Sequence, residues 1–161
     1  HLLASWMQHI KYYNDDNLIL IGDGPLYNNL YKEYSNEESI HFEGRIPYDQ
    51  TGKYYAISDV FIMPTIEDNW SLVIPEAMSC GLPVATSIYN GCHTDLIEEG
   101  INGITFDSFN HETIINALEY FHHVDLKKMG KQSILIEKKF NVTNSAMRTY
   151  QAIKQISHKA N

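Results

Sequence analysis

Apolar residues are arranged along this chain in two rhythms. Short, largely apolar runs occur at residues 18–21, 40–42, 60–63, 82–86 and 104–106. Runs this short, bounded by Gly, Pro or polar turns, predict buried β-strands. Between them apolar side chains recur at helical spacing. Leu2, Leu3, Trp6, Met7 and Ile10 predict a helix over 1–13, and Leu26, Leu30 and Tyr34 one over 26–34. Shorter helices are predicted within 47–57, over 74–79 and over 94–99, and three more over 111–123, 126–138 and 142–157. The first helix opens without a capping residue, so the chain is expected to start inside a helix.

Five strands alternating with helices predict an α/β fold, a Rossmann-like parallel sheet with helices on both faces. Such sheets bind ligands outside the C-terminal ends of their strands. Those ends carry Gly22-Asp23-Gly24, Gly44-Arg45, the loop 65–68 and the loop 87–93, which together predict one pocket rim.

The 161 residues fit one domain, and 43% hydrophobic with 20% charged residues is ordinary for a globular protein. No apolar run is long enough to span a bilayer, and the opening HLLASWMQHI has no basic segment or cleavage site of a signal peptide. Cys80 and Cys92 form no CxxC pattern, which predicts reduced thiols and a cytoplasmic setting. The net charge of −8 argues against a nucleic-acid partner. Its distribution is more informative. Residues 54–126 contain no Lys or Arg but eleven Asp and Glu, whereas eight of the twelve basic residues follow from Lys127 onward. A phosphorylated ligand held by this middle segment would need helix N-termini, Arg45, Lys53 or groups outside the chain to neutralise it.

The candidate chemistry lies in the stretch TIEDNWSLVIPEAMSCGLPVAT, residues 65–86. Seven residues separate Asp68 from Glu76, and Glu67 adjoins the first. A carboxylate accepts charge-assisted bonds from the vicinal hydroxyls of a sugar or a ribose. Backbone N–H groups near Ser71, Leu72 and Val73 open the predicted helix and suit a diphosphate. Pro75 supports a helix start there. Taken alone, an isolated pair of acids is read first as complementing the helix dipole.

The stretch EDNWSLVIPEAMSCGLPVA resembles the signature of retaining glycosyltransferases of the GT-B group, the GT4-like family that includes sucrose and glycogen synthases. Asp68, Trp70, Glu76, Ala77, Met78, Gly81, Pro83 and Val84 fall in register with it. LILIGDGPLYNNLYKEY, IHFEGRIPYDQTGKYYAISDVFIMPT and NGCHTDLIEEGINGITFD resemble three further motifs of that family in the same order, so the likeness runs from about Leu2 to Tyr150.

The resemblance implies a C-terminal donor-binding domain of a two-domain GT-B enzyme, with residues 1–161 as one nucleotide-sugar-binding domain of it. Glu76 would hold the ribose hydroxyls. The donor sugar would meet Glu67, Asp68, Asn69, Trp70 and Ser71. Gly22, Gly24, Ser71, Leu72 and Val73 would face the diphosphate, and Gly44, Arg45 and Ile46 the nucleobase. The implied donor is a UDP-sugar or GDP-sugar, with UDP favoured; no other cofactor, no protein nucleophile and no metal are expected. The first strand of the sheet, an Arg-Lys pair that clamps the diphosphate and an acceptor domain are expected to lie outside the chain. The full enzyme is expected to act in the cytoplasm, with association at the inner face of a membrane left open, and the chain by itself to transfer nothing. Asn69 and Ser71 replace two family glycines, which leaves the donor sugar open, and Asp95 replaces a Glu one methylene longer. A sugar-nucleotide epimerase on the same scaffold and a non-catalytic α/β binding module stay as alternatives.

The remaining residues predict less. The eight His show no ligand pair at metal spacing, and His111-Glu112 lacks the second His of a zinc-protease helix. His122 and His123 are read as surface residues, His93 as a loop residue and Cys92 as a packed thiol. The Lys-rich tail is read as a solvated helix face, and Gly22-Asp23-Gly24 lacks the third glycine of a dinucleotide fingerprint.

Overall fold

The computed structural model describes residues 1–159. In chain order the elements are α1 (Leu2–His9), β1 (Leu18–Ile21), α2 (Tyr27–Tyr34), β2 (Ile40–Gly44), α3 (Thr51–Ile57), β3 (Phe61–Met63), α4 (Val73–Ser79), β4 (Val84–Ser87), α5 (His93–Leu96), β5 (Gly103–Phe106), α6 (His111–Tyr120), α7 (Leu126–Glu137) and α8 (Val142–Lys159). Short 3-10 turns at Tyr48–Gln50, Phe121–His123 and Lys138–Phe140 link some of them.

All five predicted strands form and all pairings are parallel, but the strands do not join into one sheet. β1 pairs with β2, from Leu18 opposite Ile40 to Ile21 opposite Gly44, with a bulge between Leu20 and Ile21. β4 lies between β3 and β5, with Ala85 opposite Ile62 on one side and Ile104 on the other. Among the described residues no ladder joins β1 to β3. The expected parallel, helix-covered arrangement is present, with its strands grouped in two pieces. Apolar content reports that a strand is buried, not which strand lies beside it. A doubly wound sheet of order 3-2-1-4-5-6 has its first strand in the middle. In that frame the five strands here match positions 3-2 and 4-5-6, on either side of that middle place.

The period-two alternation of the strands sorts the core into two layers. Ile62, Ala85, Ile104 and Phe106 join Leu2, Leu3 and Trp6 of α1 and Ile114 and Ala117 of α6. The same cluster holds Leu18 and Ile40, so it spans both sheet pieces. Phe61, Met63 and Val84 point the other way, onto Ile74 and Met78 of α4, Leu96 of α5 and Ile136 of α7. Helices therefore cover both faces. Ile74, Val84 and Ile114 are fully buried, and burying each contributes about 1.5–3 kcal/mol. The polar edge of Trp6 is satisfied inside this core, its Nε1–H donating to Ser39 Oγ at 3.0 Å.

Helix ends follow local chemistry. Asn110 caps α6 and Asp125 caps α7, accepting the N–H of Glu112 and Lys128 at 3.0 and 2.9 Å, a contribution of about 1 kcal/mol each. The fifth helix is shorter than expected over 94–99 and ends at Leu96. Buried Asn102 causes this: its amide donates to Leu96 O at 2.9 Å while its Oδ1 accepts the Glu98 N–H at 2.8 Å. These side-chain bonds take up groups that a continuing helix would have paired internally.

Candidate functional site

The rim predicted at the C-terminal strand ends is present. After β1, Gly22 donates its N–H to Gly44 O at 2.7 Å, which holds the ends of β1 and β2 together. Gly44 sits at φ 64°, where a side chain would be strained. The chain then turns past exposed Arg45 and half-buried Ile46 into the 3-10 turn of Tyr48.

After β3 the loop 65–72 is fixed by its own polar groups. Asp68 accepts the Trp70 N–H at 2.9 Å on Oδ1 and the Ser71 hydroxyl on Oδ2. Ser71 Oγ in turn accepts from Asn90 Nδ2 at 2.8 Å, and Asn90 is fully buried. The backbones of the two loops also meet: Asp68 N–H donates to Tyr89 O at 3.3 Å, and Gly91 N–H to Asp68 O at 2.7 Å. Gly91 is required at this contact, because a Cβ there would lie 2.3 Å from Asn69 O. The loop after β4 therefore clamps the loop after β3. Glu67, Asn69 and Trp70 stay exposed on the clamped loop, and the Trp70 ring leans on Phe140, centroids 6.1 Å apart.

Leu72 and Val73 lead into α4, and among the described residues their N–H groups have no acceptor. Ser71 N–H faces another way, toward the Cys92 sulfur. Glu76 follows in the first turn of α4, half-buried. Both of its oxygens are engaged: Tyr48 donates to Oε1 and Tyr55 to Oε2, each at 3.2 Å. Burial and the adjacent carboxylate push the Tyr55 phenol well above its ordinary range, so it remains a donor. Tyr48 is 76% exposed on its turn, whereas the Tyr55 ring stands edge-on to Phe61 at 5.9 Å. Among the described residues none of Glu67, Asp68 and Glu76 has a Lys or Arg partner.

The structure thus brings the two acidic positions, the open amides and the glycine loops to one rim. It adds Tyr48, Tyr55, Asn90 and Gly91, which sequence reasoning did not single out. The cluster of tyrosines at 48, 54 and 55 was the only available signal for the first two. His93 Nδ1 lies 2.7 Å from Asn90 O and is committed to that turn. Cys92 is a packed thiol: its S–H donates to Asn90 Oδ1 at 3.0 Å, and burial raises its pKa. Cys80 is exposed. A disulfide-exchange reagent is expected to titrate Cys80 quickly and Cys92 only on unfolding; two fast thiols in the native protein would contradict the packing.

Comparison with known proteins places this geometry. The model of the family described as glycosyl transferases group 1 matches residues 1–138. Sulfoquinovosyl transferase SQD2 of Arabidopsis thaliana is 34% identical over 125 residues, 76% of this chain and 24% of that protein. Among solved structures, TarM superposes with a TM-score of 0.82 at 17% identity, covering 94% of this chain and 31% of TarM. The pneumococcal O-GlcNAc transferase GtfA, solved in complex with UDP and GlcNAc, gives a TM-score of 0.74 at 17% identity, with 98% of this chain and 33% of GtfA covered. The chain thus spans about a quarter to a third of these proteins. With its fold, its motif spacing and the matched span in agreement, the chain belongs to the glycosyl transferases group 1 family.

Proposed function

We propose that this chain is the donor-binding part of a retaining glycosyltransferase that takes a nucleotide-diphosphate sugar, with UDP as the favoured nucleotide. The observation that carries the reading is the rim itself. A carboxylate in the first turn of α4, two open amides just before it and a clamped acidic loop lie together. The spacing of these groups suits, in order, a ribose, a diphosphate and a sugar. The UDP bound to the GtfA neighbour supports the choice of base.

In this reading Glu76 accepts the ribose hydroxyls, and Leu72 and Val73 N–H, with Ser71 beside them, face the diphosphate. Gly22 and Gly24 line the phosphate edge, and Gly44, Arg45 and Ile46 flank the base. Asp68 orders the loop, and because each carboxylate oxygen keeps a further lone pair it also accepts a sugar hydroxyl. Glu67, Asn69 and Trp70 complete the sugar contacts. The leaving diphosphate assists deprotonation of the acceptor, and no protein nucleophile is required. Since residues 54–126 hold no Lys or Arg, cations for the diphosphate come from a segment outside this chain. The same segment supplies a middle strand between β1 and β3, and a further domain binds the acceptor. No helix among the described residues is long and apolar enough to cross a membrane; the reading places the enzyme in the cytoplasm, at a membrane surface if its acceptor is a lipid.

Calorimetric titration of the full protein with UDP, GDP and ADP tests this. Binding of UDP in preference to the others, with release of free sugar and UDP from the donor when acceptor is withheld, is the expected result. A new sugar nucleotide in the products would instead indicate an epimerase, and absence of nucleotide binding would end the proposal.

The two phenols on Glu76 make a separate expectation. Exposed Tyr48 competes with ribose for the outer oxygen of Glu76, and it is the donor free to leave. Tyr48→Phe is expected to tighten UDP binding about 3- to 10-fold, since a net hydrogen bond is worth about 0.5–1.5 kcal/mol. Tyr55→Phe is expected to weaken it, by freeing the inner oxygen that Tyr55 orients. Equal weakening by both variants would make Tyr48 part of the nucleotide grip instead.

A further inference from the structure

A second cluster lies at the opposite end of the strands. His9 ends α1, Asp16 lies in the loop before β1, and His122 lies in the 3-10 turn after α6. Both imidazoles direct Nε2 at one oxygen, Asp16 Oδ2, at 2.7 Å from His9 and 2.8 Å from His122. The three ligand atoms lie within 4.8 Å of one another. Tyr13 stacks on both rings, with centroids 4.9 Å from His9 and 3.9 Å from His122, and so fixes their planes. His9 is 1% exposed, while the other two keep about a third of their side-chain surface and leave a path from solvent. Among the described residues no Lys or Arg pairs with Asp16.

We propose that His9, Asp16 and His122 form a binding site for a first-row divalent cation, with zinc the best-suited ion. Two imidazole nitrogens and one carboxylate oxygen match zinc's preferences, and three protein ligands leave the fourth position to water. A carboxylate oxygen can only accept, so in the metal-free chain each ring presents Nε2–H to Asp16 Oδ2. The cation takes the place of those two hydrogens; each metal-bound ring keeps one proton, on Nδ1, and any second proton passes to solvent. Bonds of about 2.0–2.1 Å in a tetrahedron space the ligand atoms by about 3.3 Å, so each His–Asp pair, now at 2.7 and 2.8 Å, opens by only about 0.5 Å. His122 Nδ1 can meet solvent. His9 Nδ1 is buried without a partner among the described residues. An outer-shell acceptor of the kind missing here is worth about 10- to 100-fold in metal affinity, so the site is expected to bind zinc at micromolar rather than nanomolar level. The bound ion would tie the end of α1 to the end of α6, at a distance from the rim. Sequence spacing gives no hint of it, because the His122 contact crosses 106 residues.

The test is zinc titration of the full protein, free of any polyhistidine tag, against a chromophoric chelator. His122→Ala and Asp16→Asn are compared with His123→Ala, which changes an exposed histidine outside the cluster; buried His9 is left unchanged to keep the fold. One zinc per chain with micromolar affinity is expected, weakened at least tenfold by the first two variants and unchanged by the third. Zinc is expected to raise Tm in the parent and not in His122→Ala. Cobalt in place of zinc is expected to give the visible absorption of a four-coordinate site. Zinc affinity and Tm response unaltered by His122→Ala would overturn the proposal, as would absence of binding; the cluster is then only a hydrogen-bonded clasp.

Discussion

Glu76→Ala is expected to raise the Kd for UDP by about 30- to 150-fold, corresponding to about 2–3 kcal/mol. Two new charge-assisted bonds from a ribose would be worth roughly 3–6 kcal/mol together. In the free chain, however, Tyr48 and Tyr55 already donate to the two carboxylate oxygens, so ribose binding displaces Tyr48 and the net gain is smaller. Glu76→Gln should fall between, since it keeps one acceptor, loses the charge and presents an amide donor where another donor must fit. The side chain is half-buried at the start of α4; removing its placement near the helix N-terminus costs about 0.3–1 kcal/mol of stability, and the acceptor lost by half-buried Tyr55 adds about 1 kcal/mol. Loss of binding at a temperature well below a Tm lowered by only about 3–8 °C therefore separates a ligand contact from a folding defect. The ribose assignment has its own check in 2′-deoxy-UDP. The parent protein should bind it more weakly than UDP, and Glu76→Ala should not distinguish the two. Equal affinity of the parent for both nucleotides would remove Glu76 from the ribose.

What the sequence made legible follows from the range over which each interaction acts. The strands were readable because a short apolar run bounded by turns has few other solutions, and Phe61 to Met63 or Gly103 to Phe106 form close to where the pattern puts them. The division of the sheet was not, because neighbour identity is set by pairing between distant segments. The early end of α5 was hidden for a related reason: it depends on which way one buried amide, Asn102, directs its two hydrogen bonds. In the candidate site, the placement of Asp68 and Glu76 on one loop and the helix after it was readable from their spacing. Their partners were not. Tyr48 and Tyr55 reach Glu76 from 28 and 21 residues away, and Asn90 meets Ser71 across 19. That last bond changes the reading of Ser71. At a position where the resemblance leads one to expect glycine, its side chain turns inward to link two loops.

Gly130→Ala is expected to destabilise the chain by about 3 kcal/mol, although alanine in a helix interior normally gains about 1 kcal/mol over glycine. Gly130 lies inside α7 and is buried against the turn that follows α4. A Cβ there would stand 1.9 Å from Gly81 O and 2.9 Å from Gly81 C. Both obstacles are backbone, so no rotamer change relieves them, and α7 must move away by roughly 1.5 Å. Overpacking of a well-filled core costs about 1–3 kcal/mol and occasionally more; contact with a rigid carbonyl places this case at the upper end. For a chain of this size about 3 kcal/mol lowers Tm by roughly 6–12 °C. The displaced surface is the one Ile136 shares with Ile74 and Met78 of α4, the helix that carries Glu76. The substitution should therefore weaken UDP binding as well, by moving α4 rather than by removing a contact, and to a smaller degree than Glu76→Ala. Differential scanning calorimetry beside UDP titration separates the two effects: a Tm within 2 °C of the parent would show that α7 and the Gly81 turn do not approach this closely.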